Sequence, residues 1–172
     1  MIADAAKAGV LLLFAALVQV SIASTIEVAE GHPNVLLVLV VTLALLRGPI
    51  FGACAGFWAG LVIDVASLGT LGLTSLLLTL AGHFAGRFGE VTSRSSAHPP
   101  LVAVALATVA VGLAEGVLHF MLGSTLSASD FFVAVLLPTL ALNMLLSYPL
   151  YALGRRVFPV SPRVRREVSP AV

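Results

Sequence analysis

The chain has 172 residues, 59% of them hydrophobic and only 10% charged, with a mean hydropathy of +1.10; an ordinary soluble domain carries roughly 25% charged residues. So much apolar side chain cannot be hidden from water behind so few charges, which excludes a soluble globular domain and makes the bilayer the solvent. The formal net charge of +1 sums nine Lys/Arg and eight Asp/Glu, and their placement along the chain carries more information than their total.

A membrane helix needs about 20 mostly apolar residues. The first such stretch covers residues 8–28, with Lys7 ahead of it. It has no small-x-small cleavage context followed by a soluble polar domain, so it reads as a retained span and not a signal peptide. Residues 34–66 are apolar but for Arg47 in the middle and Asp64 near the end, too long for one untilted helix. Proline removes a backbone donor and disfavours helical geometry at the residue before it, so Arg47-Gly48-Pro49 predicts a turn between two shortish helices over 34–46 and 49–64. A fourth helix is expected over 70–85. Residues 86–99 hold Thr92, Ser93, Ser95 and Ser96 among charges, end on Pro99-Pro100, and read as the largest polar linker. Helices five and six are expected over 100–122 and 131–157.

Charge placement supports this count, because short cytoplasmic loops collect Lys and Arg. Six crossings put Lys7, Arg47, Arg87, Arg94 and the tail arginines 155, 156, 163, 165 and 166 on one side, and Glu27, Glu30, Asp64 and Asp130 on the other. The expected architecture is all-α: a polytopic bundle of six transmembrane helices over 1–158, with both termini cytoplasmic. A loose basic tail, broken by Pro159, Pro162 and Pro170, follows over 159–172. Its arginines fix topology and meet anionic membrane lipids. No loop is long enough for a soluble domain, and no repeat relates the two halves.

Gly48, Gly52, Gly56 and Gly60 recur every four residues and are followed, four further on, by Asp64. On a helix this spacing makes a slowly winding smooth stripe that another backbone can approach closely. Gly82 and Gly86, and Gly112 and Gly116, are further pairs. In lipid such stripes serve either packing inside one bundle or docking of a partner chain, and the spacing leaves both open. Asp64 sits at the end of a span, before Gly69 and Gly72. A carboxylate there needs a partner, and the N-terminus of the next helix, near 70–73, would supply one.

Glu115 and His119 are four apart on the fifth helix and share a face. With Asn143 they could line a polar pocket; alternatively they satisfy each other or snorkel to the outer interface. Gln19 and Asn143 are expected to hydrogen-bond between helices. Enzyme signatures are missing: there is no GxxxxGK[ST], HExxH, GxSxG or CxxC. The single Cys54 can form no internal disulfide, and His32, His83, His98 and His119 lack metal-ligand spacing. No catalytic residue, cofactor or metal is expected, and basic residues placed by topology do not argue for nucleic acid.

Arg47-Gly48-Pro49, the run GACAGFWAGLVID from Gly52 to Asp64, Gly69 to Gly72, and Gly82 with Gly86-Arg87-Phe88 resemble the rod shape-determining MreD family over nearly the whole chain. The sharpest part is Gly56, Phe57, Gly60, Leu61 and Asp64, with Gly72 downstream; the chain departs at His83, where the family often carries tyrosine. The resemblance implies a non-catalytic inner-membrane subunit of the bacterial cell-elongation, peptidoglycan-synthesising machinery. It would bind MreC and, through it, RodA, a class B penicillin-binding protein and MreB. It also implies a fold similar to the S components of energy-coupling-factor transporters, and hence an alternative role as a small-molecule-binding transport subunit.

Overall fold

The computed structural model describes residues 2–23, 32–67, 71–92, 99–121 and 131–158. Among them every element is helical: α1 Ile2–Ala23, α2 Val35–Arg47, α3 Pro49–Ser67, α4 Leu73–Val91, α5 Pro99–Met121, and a π-helical turn Phe131–Leu136 that runs into α6 Leu137–Val157. The predicted break at Arg47-Gly48-Pro49 is real. Gly48 takes φ 98°, a left-handed value that glycine tolerates, and its N–H bonds Ala44 O to close α2.

Four of the six helices, α1, α3, α5 and α6, are long and apolar enough to cross a membrane. The other two depart from the expected spans, each for a physical reason. α2 has 13 residues, about 20 Å of helix against a hydrocarbon thickness of about 30 Å. Its residues 36–46 are all buried, because it packs against each of the other five helices and is apolar all round. It forms the central post of the bundle. α4 runs on to Val91, so residues 86–91, expected in a polar linker, are helical. Gly86 lies against Pro49 and Gly89 against Leu45, so glycine lets the last turns of α4 close on the α2–α3 corner, and that packing outweighs its low helix propensity.

One end of the bundle gathers the described cations. The Arg47 guanidinium, at the end of α2, bonds the Asp4 carboxylate of α1 at 2.9 Å and lies 5.5 Å from the centre of the Phe158 ring, just beyond α6. Glu90 near the end of α4 approaches Gly48 and pairs with Arg87. Arg155 and Arg156 occupy the last turn of α6. The start of α1 and the ends of α2, α4 and α6 therefore share this end, as alternating antiparallel helices require. Glu27, Glu30, Arg94, Asp130 and the residues 159–172 lie outside the described residues.

Candidate functional site

α3 and α4 form the most extensive helix pair among the described residues, and the glycine stripe is the reason. A Cβ on Gly52 would strike Ala44 and the carbonyl of Gly82; on Gly56, the carbonyl of Leu78; on Gly60, the backbone of Ser75. From the other side, a Cβ on Gly82 would meet the carbonyl of Gly52, and one on Gly86 would meet Pro49. These five glycines are occupied within the bundle, backbone against backbone, where dispersion contact replaces lipid contact. Gly48 and Gly72 contribute differently. Nothing crowds either closer than 3.9 Å, but both have positive φ, 98° and 92°, and both turn the chain. Gly112 abuts Leu136 of the π-helical turn.

Asp64 closes the end of this seam far from Arg47. Its carboxylate is 2% exposed and accepts the N–H groups of Gly72 at 2.8 Å, Thr74 at 3.3 Å and Ser75 at 3.2 Å. Gly72 stands at the N-cap of α4 and has no side chain to cap it. Asp64 supplies the acceptor from the preceding helix and places its negative charge at the positive end of the α4 dipole. Ser75 completes the clasp by donating its hydroxyl to the Phe57 carbonyl at 3.0 Å.

A second polar centre sits at the N-terminus of α2. Asn34 caps that helix through a bond from Leu37 N at 3.0 Å, and its side-chain oxygen also lies 3.4 Å from Gln19 Nε2 of α1. Gln19 Oε1 accepts Leu36 N at 2.9 Å. Asn143 of α6, fully buried, accepts Asn34 N at 2.8 Å and donates to Thr108 Oγ1 of α5 at 3.1 Å. This network ties four helices together at the end of α2 far from Arg47. A cavity of about 40 Å³ lies beside it, lined in part by Asn34, Thr108, Glu115, Thr139 and Asn143. Glu115 and Asn143 therefore share one lining; the side chain of His119 lies outside the described residues. Gln19 and Asn143 are legible as interhelical donors in the sequence, whereas Asn34 and Thr108 are not. The cap signal at Asn34, a polar residue after Pro33 and directly before an apolar run, was available to find the first.

The outer surface holds a third feature, an apolar groove of about 550 Å³ between α4 and α5. Ala81, Ala85, Ala107 and Ala110 are among its lining residues, and Leu80, Phe84 and Leu106 flank it with much of their surface exposed.

The family model for the rod shape-determining protein MreD matches residues 7–157. The chain belongs to the MreD family. The match takes in all six helices and each of the three features above, short only of the first residues of α1. Neither the curated proteins nor the solved structures compared with the chain include a match. Family membership and the apolar helices together make this a multi-pass, rod-shape-determining membrane protein.

Proposed function

We propose that this MreD-family chain is a non-catalytic scaffold of the cell-elongation machinery in the bacterial inner membrane. In this reading it crosses six times with both termini in the cytoplasm and binds the transmembrane segment of MreC, reaching RodA, the class B penicillin-binding protein and MreB through it. The observation that carries the reading is the α4–α5 groove, joined to the family match. In lipid a helix gains nothing from hydrophobicity alone and associates where small residues let its backbone approach, which an alanine-lined cleft with exposed apolar flanks allows. The glycine stripe is not available for docking, because α4 already fills it. The small-molecule reading draws less support: the polar cavity is about 40 Å³, against roughly 300–1,000 Å³ for pockets that hold drug-sized ligands.

The test is to fill the groove without touching the core. Ala110→Leu with Ala114→Leu should leave detergent-extracted protein monodisperse and reduce co-purifying MreC at least tenfold. Undiminished MreC recovery with this pair would remove the groove from the account.

A further inference from the structure

α4 has three sides, and two of them are accounted for. Gly82 and Gly86 close on α3, while Leu77, Ala81, Phe84 and Ala85 line the groove against α5. The third side carries Leu76, His83, Arg87 and Glu90, all exposed. At about 100° of turn per residue, the three sides lie roughly a third of a turn apart. We infer that the third side docks a transmembrane helix of a partner protein through one carboxylate shared by His83 and Arg87, at a place separate from the groove. The inference rests on the six-crossing reading, in which α4 spans the bilayer.

α4 runs from Leu73 to Val91, which puts His83 about 15 Å from one end and about 12 Å from the other. An ionisable side chain at that depth ordinarily faces the bundle interior or a water-filled cavity. His83 faces outward instead and makes no hydrogen bond with the described residues. Its ring stands edge-on to Phe84, with 5.8 Å between centroids. Arg87, one turn nearer the cation-rich end, pairs among the described residues with Glu90 at 3.5 Å, and the two side chains are 65% and 46% exposed. A guanidinium has five N–H donors, so this contact leaves most of them free for a further acceptor.

Residues four apart on a helix have Cβ atoms about 5–6 Å from one another, so the two oxygens of one carboxylate can accept from the His83 imidazole and the Arg87 guanidinium together. Two other occupants fit this pair less well. A phospholipid phosphate stays in the headgroup layer, where it meets Arg87 but not His83. A second copy of this chain, related by a two-fold axis along the membrane normal, would set Arg87 against Arg87 at one depth, like charge against like. A different helix, with an acid one to two turns inside its cytoplasmic end, matches both groups and leaves no charge unpaired in lipid.

The test is photocrosslinking of the full chain in its native membrane, from p-benzoylphenylalanine placed at Leu76, which is 57% exposed on the same side. The expected product joins this chain to a partner transmembrane helix that carries Asp or Glu within about two turns of its cytoplasmic end. Its yield should fall at least tenfold with Arg87→Glu and also with His83→Leu, which keeps the topology-setting arginine. Replacing the partner's acid by lysine should restore it in the Arg87→Glu chain. Attachment to a second copy or to lipid alone, a helix without an acid, or a yield that both variants leave unchanged would overturn the inference. His83→Cys in a Cys54→Ala background, purified into nanodiscs, tests the depth separately: a thiol held in hydrocarbon should resist a water-soluble maleimide. Prompt labelling there would overturn the crossing of α4 and the inference with it, whereas a failed crosslink beside an unreactive thiol would overturn the inference alone.

Discussion

Asp64 caps a helix that is not its own: its carboxylate stands 2.8 Å from the N–H of Gly72, the N-cap residue of α4, whose missing side chain it replaces. Asp64→Ala would leave three amides near a buried end without their acceptor, at a cost of about 2–4 kcal/mol. Asp64→Asn keeps one acceptor oxygen but loses the charge and should fall between the two. Thermal unfolding of the three proteins in one detergent checks the order. Equal stability of alanine and wild type would mean that water satisfies α4 unaided.

The glycine seam predicts a sharp positional contrast. Gly56→Ala drives a methyl into the Leu78 carbonyl, and backbone cannot step aside as a flexible side chain can, so it should destabilise by about 1–3 kcal/mol. Gly9→Ala on α1 meets nothing within 4 Å and should be neutral or slightly stabilising, because alanine is the better helix former. Gly56→Leu and Gly60→Leu should fail to yield folded protein. The same thermal assay, with recovery of monodisperse protein, separates these outcomes.

At the opposite end, Arg47 couples α1 to α2 and α6. Its side chain is 17% exposed and that of Asp4 26%, so solvent screens the pair only partly. A double-mutant cycle with Asp4→Asn and Arg47→Met should return a coupling of about 1 kcal/mol that weakens with added salt. The arginine substitution should cost more than the aspartate substitution, since it also removes the contact over Phe158.

The sequence and the structure agree where a single residue type dictates the backbone. Pro49 after Gly48 could hardly do other than break the helix, and a carboxylate at the end of a span beside Gly72 had one dipole within reach. They part where the outcome depends on neighbours distant in the chain. Nothing local in 35–47 distinguishes a buried post from a lipid-facing span, since both are apolar all round; only the five helices around α2 decide. Likewise Gly86 and Gly89 read as loop residues until Pro49 and Leu45 are seen to occupy the space their missing side chains leave. The alanines of the α4–α5 groove do recur four apart, as Ala81 and Ala85, Ala103 and Ala107, and Ala110 and Ala114, but alanine is frequent in any membrane helix, and the groove exists only between two of them.

The central claim, that six helices alternate through the bilayer with their cations on one side, is tested most directly by cysteine labelling in a Cys54→Ala background. Leu71→Cys, Val91→Cys and Arg156→Cys place single thiols at positions that are all exposed. A membrane-impermeant maleimide applied to spheroplasts should label residue 71 at once, and residues 91 and 156 only after permeabilisation. Labelling of 91 and 156 from opposite faces would contradict the six-crossing architecture.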